Sequence, residues 1–212
     1  MIILRSVSGK AHDFSRGSKS KVSMTISILG HRTDIRSSYA ENNLGQTLYD
    51  AVIKNKPLKI VEFGTLNGYS SISMGLALKD LGRGLLFTYD LYEDYQYNHS
   101  TMENVIRNIK YFGLENWVIP AKLDFNSWLL CKDRFDMCHV DISNNGDTVE
   151  NFIETVKDNN PGSVCLFEGG SEERDSIEWM IKYNKRPINP VIKKYNGRVI
   201  NELFPSISEV IL

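Results

Sequence analysis

The sequence lacks the features typical of membrane proteins, disulfide-rich proteins and nucleic-acid-binding proteins. It has no apolar run of about 18 residues, as a membrane span requires, and its apolar start is too short for a signal peptide. Its 3 cysteines form no Cys-x-x-Cys pair, which indicates free thiols in a reducing compartment. A formal net charge of −1 provides no field that attracts nucleic acid. We therefore expect a cytoplasmic protein without a membrane or nucleic-acid partner.

The length of 212 residues suits one domain with at most a small attachment. Apolar residues make up 42% and charged residues 24%, as in ordinary globular proteins. Residues 1–35 are mostly polar, with serine, lysine, arginine and glycine interleaved. A mobile tail and a partial lid over a ligand are both consistent with this arm. Residues 36–212 are predicted to form the main domain.

The most informative stretch predicts a strand, a glycine turn and a helix. Residues 59–63 are largely apolar and β-branched, and Gly64 and Gly68 follow them, four positions apart. Apolar residues then recur with helical spacing over residues 70–78. In an open α/β sheet such a turn binds a ligand against the amides that begin the helix. The Gly-Lys-Ser/Thr of a phosphate loop and the third glycine of a dinucleotide fingerprint are missing. A purely structural turn therefore stays open.

Acidic residues end the first two predicted strands. Asp90 closes the apolar run of residues 85–90, roughly 20 residues past the glycine turn, where a carboxylate can accept both hydroxyls of a ribose. Glu62 is predicted to add a second carboxylate near the same crevice. The alternative is that both are ordinary polar residues at strand ends. Their joint occurrence favours the ribose interpretation.

The remaining pattern alternates strands and helices and predicts a doubly wound α/β fold. Further strands are predicted over residues 117–121, 135–141 and 163–168, and helices over residues 43–53, 101–112, 146–157 and 176–183. Asn196-Gly197 suits a type I′ turn, which predicts a hairpin between residues 190–195 and 198–200. His139 alternates with apolar neighbours and is predicted to be a hydrogen-bonded core residue.

The run Glu62-Phe63-Gly64-Thr65-Leu66-Asn67-Gly68-Tyr69-Ser70 resembles motif I of the class I S-adenosylmethionine-dependent methyltransferases. It is most similar to the small-molecule O-methyltransferases of the catechol and caffeoyl-CoA type. The resemblance extends from about Gly45 to about Gly170. It implies a Rossmann-like methyltransferase fold, with a mostly parallel seven-stranded sheet that ends in an antiparallel hairpin. It also implies S-adenosylmethionine as the cofactor.

The resemblance implies a set of residues around S-adenosylmethionine. Ser70 is expected to bond the methionyl carboxylate, Asp90 the ribose, and Asp124 the exocyclic amine of the adenine. The whole predicted cofactor-binding set is Glu62, Gly64, Thr65, Gly68, Tyr69, Ser70, Asp90, Asp124 and Asp141.

Asp141 and Glu168 are the predicted catalytic residues. Asp141 resembles the motif IV aspartate, which faces the reacting methyl group and often binds a divalent metal. Metal-dependent relatives add an Asp-Asp or Asp-Asn pair after the next strand, and here that pair is Glu168-Gly169. The lysine base that the catechol type carries three residues after the aspartate is Asn144. Magnesium is therefore an open second cofactor with an incomplete ligand set, and no residue is assigned to it.

We expect a methyltransferase that methylates a small molecule, with oxygen as the expected acceptor atom. The first alternative is a binding or regulatory domain with this fold but without transferase activity. Another α/β enzyme, such as a nucleotide-dependent oxidoreductase, and a nucleic-acid methyltransferase rank lower, because the third glycine and a basic patch are missing. The arm could also reach a second subunit, so a homodimer stays open.

Overall fold

The computed structural model describes residues 35, 37–97, 100–131, 133–143 and 145–212. The predicted arm therefore lies outside the described residues, except for Ile35, which is buried. Asn144, at the position of the lysine base, also lies outside them.

One seven-stranded sheet organises the chain, with the strand order β3-β2-β1-β4-β5-β7-β6. The strands are β1 (Lys59–Phe63), β2 (Leu85–Asp90), β3 (Val118–Lys122), β4 (Met137–Val140), β5 (Val164–Glu168), β6 (Arg198–Asn201) and β7 (Ile207–Ile211). Strands β1 to β5 are parallel, whereas β7 runs antiparallel to both β5 and β6. The predicted doubly wound, mostly parallel sheet with an antiparallel end is confirmed.

Helices connect the parallel strands and cover both faces of the sheet. They are α1 (Leu44–Asn55), α2 (Tyr69–Leu81), α3 (Met102–Tyr111), α4 (Phe125–Cys131), α5 (Gly146–Val156), α6 (Glu172–Asp175), α7 (Glu178–Lys182) and α8 (Asn189–Lys194). A 3₁₀ turn spans Tyr92–Asp94. The helix predicted over residues 176–183 is therefore only the short α7.

Helix α2, which follows the glycine turn, has a left-handed glycine at each end. Gly68 precedes it with φ 86°, and Gly82 follows it with φ 65°. The amide of Gly82 donates to the carbonyls of Leu78 and Lys79, which ends the helix. Because glycine adopts positive φ without strain, these two positions fix where the helix begins and ends.

Successive residues along the strands pack alternately into two apolar layers, one on each face of the sheet. Residues such as Ile60 and Met137 pack against α1, α2 and α3 on one face, and Val61 and Cys138 pack against α4, α5 and α8 on the other. Two acidic residues end strands β2 and β5, Asp90 and Glu168. By the alternation of side chains along each strand, both belong to the first of these two faces. The packing of the sheet thus decides which side of the crevice carries its charges.

The predicted hairpin around Asn196-Gly197 is wrong in its first half. Residues 189–194 form helix α8, with Pro190 in its first turn, where a missing N–H costs no hydrogen bond. Asn196 is left-handed with φ 55°, and Gly197 donates back to the carbonyl of Ile192, so the pair ends a helix. The antiparallel pair is instead formed by β6 and β7.

We expect the F152A substitution to lower the free energy of unfolding by about 3–5 kcal/mol. Phe152 on α5 is fully buried and contacts the rings of Phe63, Phe125, Phe135 and Phe167, so truncation leaves a cavity. Urea unfolding followed by circular dichroism measures the change.

The matched control is L130A, because Leu130 is 84% exposed and its truncation leaves no cavity. Its cost should stay within about 0.5 kcal/mol. Similar costs for the two variants would contradict the assigned aromatic core.

Candidate functional site

A cavity lies at the carboxyl edge of the sheet, where the strand order reverses between β1 and β4. Ligands of open α/β sheets bind at such a switch point. The cavity has a volume of about 560 Å³, within the range of small-molecule sites. It is lined by Phe63, Gly64, Tyr89, Asp90, Leu91, Tyr95, Leu123, Asp124, Phe125, Asn126, Asp141, Ile142, Ser143, Asp147, Thr148 and Asn151.

Gly64 allows the turn after β1 to pack directly against the end of β4. Its φ is 91°, and a Cβ atom there would lie 2.0 Å from the carbonyl oxygen of Asp141. Its amide donates to the carbonyl of Tyr89 at 3.0 Å, while the amide of Asp141 donates to the carbonyl of Phe63 at 2.8 Å. A side chain at this position would push the two strand ends apart.

Asp90 holds the glycine turn through its carboxylate. Oδ2 accepts the amides of Thr65 at 2.8 Å and Leu66 at 3.0 Å, and Oδ1 accepts the amide of Tyr92 at 2.9 Å. Leu66 is left-handed with φ 48°, a conformation that these bonds help to maintain. Asp90 therefore lines the cavity and also supports the turn.

The beginning of helix α2 presents backbone amide donors. The first amides of a helix have no partner within the helix, and their partial positive charge favours an anion. The N-cap residue is Gly68, which has no side chain to accept a hydrogen bond from these amides. Tyr69 and Ser70 are both 6% exposed and do not line the cavity.

Glu62 is not at the crevice, which corrects the expectation from the sequence. Its side chain is fully buried, where it accepts the hydroxyl of Ser71 and lies 3.0 Å from Nδ1 of His139. Strands β2, β1 and β4 align Thr88, Glu62 and His139 side by side, so their polar atoms meet beneath the turn. Glu62 is thus a structural support with no exposed surface for a ligand. His139 is the hydrogen-bonded core residue that was predicted.

Tyr39 extends this buried hydrogen-bonded chain to the cavity. Its hydroxyl lies 3.1 Å from Nε2 of His139, and Asp141 is close enough to influence the pKa of this hydroxyl. Burial is the first cause that raises the pKa of Tyr39 well above its usual range, so the phenol keeps its proton. Sequence reasoning missed Tyr39, because nothing in its neighbourhood indicates contact with a strand 100 residues away.

Thr65 belongs to the same buried interior. It is 2% exposed, and its hydroxyl bonds those of Thr88 and Tyr92. Farther along the turn, Ser100 donates to the carbonyl of Leu66. Thr65 therefore anchors the turn from below.

Asp124 lines the cavity and also caps helix α4. Its Oδ1 accepts the amide of Ser127 at 3.0 Å and the hydroxyl of the same residue at 3.3 Å. Among the described residues, only Ser127 bonds this carboxylate. The remaining oxygen is available to a ligand donor. The neighbouring Phe125 and the nearby Tyr95 present aromatic rings to the same cavity.

Asp141 and Glu168 end their strands beside a buried arginine. Nε of Arg174 donates to Oε1 of Glu168 at 3.2 Å, and both side chains are at most 7% exposed. Arg174 lies six residues past Glu168, in the short helix α6, and sequence reasoning missed it. A basic residue soon after a strand-end acid is the signal that could have indicated it.

The two carboxyl groups share one environment and influence each other. Burial raises the pKa of Glu168 to about 8; the charge of Asp141 adds to this rise, and Arg174 opposes it. Burial also raises the pKa of Asp141, while the charge of His139 opposes the rise. The pair therefore retains a proton at neutral pH, next to one guanidinium.

The structure brings only some of the predicted site residues to the cavity. Gly64, Asp90, Asp124 and Asp141 line it. The others, which are Glu62, Thr65, Gly68, Tyr69, Ser70 and Glu168, lie beneath or beside it.

A sequence profile of the methyltransferase domain family matches residues 61–168, just over half of the chain. This protein belongs to that family. The matched range contains the end of β1, the glycine turn, Asp90, Asp141 and Glu168, which make up most of the edge described above. A search of curated proteins finds no match.

Solved structures share the fold of this methyltransferase at low sequence identity. An O-methyltransferase from Bacillus cereus, solved with SAH, is 15% identical with a TM-score of 0.60, covering 92% of each chain. TomG of Streptomyces achromogenes, an O-methyltransferase involved in tomaymycin synthesis and solved with SAM, is 17% identical with a TM-score of 0.59, over 92% of this chain and 91% of its own. The methyltransferase PaMTH1 of Podospora anserina, solved with SAH, is 16% identical with a TM-score of 0.57, over 92% of this chain and 89% of its own.

None of the helices in the described ranges combines the length and the apolar character that a membrane span requires.

We expect the stability of the wild type to fall with rising pH more steeply than that of E168Q. The pKa of Glu168 is raised on folding from its usual 4.5 to about 8. Between these values the folded chain keeps a proton that the unfolded chain releases, so the free energy of unfolding decreases with pH, by at most about 1.4 kcal/mol per pH unit. E168Q lacks this contribution.

Urea unfolding of both proteins at several pH values between about 5 and 8 measures the difference. An equal or steeper fall in E168Q would contradict the raised pKa.

Proposed function

We propose that this methyltransferase uses S-adenosylmethionine to methylate an oxygen atom of a small molecule. The observation that carries the proposal is the position of Asp90, on the cavity, at the end of β2 and against the glycine turn. A carboxylate oxygen has two lone pairs, and among the described residues only the amide of Tyr92 donates to Oδ1 of Asp90. It can therefore accept a ribose hydroxyl while the turn stays in place.

The other parts of the cofactor have matching partners along the same edge. The carboxylate of its methionyl group suits the amides at the start of α2, since an anion is favoured at a helix N-terminus. The adenine suits the aromatic side of the cavity, which includes Tyr95 and Phe125. The free oxygen of Asp124 suits the exocyclic amine. These assignments give Asp90 and Asp124 the roles that the resemblance implied.

Oxygen methylation requires alignment and the removal of one proton. The methyl carbon of the sulfonium is already electrophilic, so the acceptor oxygen attacks it and the sulfur leaves with the bonding pair as a neutral thioether. Asp141 lines the cavity, and its raised pKa brings it closer to neutral pH, which suits a proton acceptor. We assign it the hydroxyl proton, with Glu168 as its neighbouring carboxyl group. The cavity volume of about 560 Å³ favours a small acceptor.

The cytoplasmic location, the homodimer and the lack of a nucleic-acid partner stay predictions from the sequence.

We expect D90N to weaken binding of S-adenosylmethionine and of its demethylated product by at least about tenfold. The substitution removes the negative charge that would accept the ribose hydroxyl, and it turns an amide NH₂ toward either the ribose or the donors of the turn. Isothermal titration calorimetry of the two ligands measures the change.

The matched control is D136N, because Oδ2 of Asp136 also accepts two consecutive backbone amides, those of Leu58 and Lys59, both at 2.8 Å. Asp136 lies at the opposite end of β1, so its loss should leave the affinity unchanged. No binding by the wild type, or equal affinities for wild type and D90N, would refute the proposed site. Binding without transfer to any tested acceptor would favour the domain without transferase activity.

A further inference from the structure

The residues at the implied metal position do not form a metal site. Within the described ranges, no three His, Cys, Asp or Glu side chains are grouped to hold a metal ion. Oε1 of Glu168 already accepts from Arg174, and the carbonyl of Gly169 accepts the hydroxyl of Ser208 at 2.7 Å. The hydroxyl of Tyr39 lies close enough to Asp141 to influence the pKa of its carboxyl group. A hard divalent cation requires several oxygen ligands, and at this position Arg174 and Ser208 already bond one carboxylate oxygen of Glu168 and the carbonyl of Gly169.

A protein cation is present at this position instead. The guanidinium of Arg174 bonds Glu168 and is close enough for its charge to act on Asp141. Arg174 is 6% exposed, and its Nη1 atom is buried without a hydrogen-bond partner among the described residues. A buried unpaired donor on a charged group is costly, so it requires an explanation beyond the ion pair with Glu168.

Two aromatic rings form part of the cover over this guanidinium. The ring of Phe204 is centred 5.3 Å from Cζ of Arg174, and that of Trp179 is centred 6.0 Å from it. Both rings are partly exposed, Phe204 to 42% and Trp179 to 41%, so a ligand can contact them from the solvent side. An aromatic ligand could then stack between them with its acidic group on Arg174.

We propose that Arg174 supplies the positive charge of the acceptor site and that its Nη1 donates to the carboxylate of an aromatic acceptor. Methyl transfer then proceeds without a divalent metal. This inference rests on the proposed function, because it identifies the chemical class of the acceptor. Arginine suits the role, since its guanidinium presents fixed donors that bind a carboxylate strongly. One guanidinium group can thus bind Glu168 through Nε and the acceptor through Nη1.

The first test measures Mn²⁺ alone, by calorimetry on the full chain at pH 8. We expect no saturable binding by the wild type in the millimolar range. Saturable binding that D141N abolishes would overturn the proposal, since the carboxylates would then hold a metal in spite of Arg174.

The second test uses benzoate as the probe, by calorimetry in the presence of S-adenosylmethionine, with neutral benzyl alcohol for comparison. We expect saturable benzoate binding by the wild type, at least about tenfold weaker binding by R174M, and no binding of benzyl alcohol. R174K should fall between wild type and R174M, because it keeps the charge and loses the planar fork. No benzoate binding by the wild type, or equal affinities for wild type and R174M, would overturn the proposal.

A matched control exists elsewhere on the sheet. Arg198 donates from Nε to Oε1 of Glu209 at 3.2 Å, as Arg174 does to Glu168, and Glu209 is also buried. R198M should therefore bind benzoate as the wild type does. If R174M fails to fold because Glu168 is left unpaired, the double variant E168Q/R174M removes both partners and should still lose benzoate binding.

Titration of S-adenosylmethionine alone separates the two proposals. If the wild type does not bind S-adenosylmethionine, the proposed function is rejected. Titrations of Mn²⁺ and of benzoate without the cofactor would still test the role of Arg174. Intact cofactor binding with benzoate binding that is insensitive to R174M would reject only the present inference.

Discussion

The close approach of Gly64 to the carbonyl of Asp141 fixes the geometry on which the site depends. A Cβ atom at Gly64 would lie 2.0 Å from that oxygen, so only glycine lets the turn pack against β4. The contact brings the end of β1 next to the end of β4 at the switch point of the sheet. Asp90 on one side and Asp141 on the other thereby line one cavity. The remaining polar residues of this edge either support that contact or are positioned by it.

The site is supported by a buried polar layer. Glu62, His139 and Thr88 lie on three adjacent strands, and each finds its hydrogen-bond partners within the protein. Unpaired, such groups would cost several kcal/mol, and paired they fix one arrangement of the strand ends. Arg174 departs from this pattern, because one of its buried nitrogens has no partner in the described part of the chain.

Local sequence patterns predicted the sheet and most of its helices, because apolar residues recur with clear strand or helix spacing in those segments. They failed at Asn196-Gly197, since the same dipeptide can end a helix or form a hairpin turn, and only packing decides between them. They also misplaced Glu62. The sequence around an acidic residue near a strand end does not show whether its side chain faces the crevice or a histidine on the next strand. Tyr39 could not be found, because its partners are set by strand order. Arg174 was missed although its position six residues after Glu168 was a usable signal.

The two ends of β1 are fastened in the same way, which has a mechanical consequence. Asp136 accepts the amides of Leu58 and Lys59 at the start of the strand, and Asp90 accepts those of Thr65 and Leu66 after its end. These carboxylates come from opposite neighbours, on the β4 and β2 sides. Sliding β1 along its axis would break bonds at both ends at once. The register of the sheet therefore fixes the position of the glycine turn relative to Asp141. The turn cannot shift along the strand axis to accommodate different ligands.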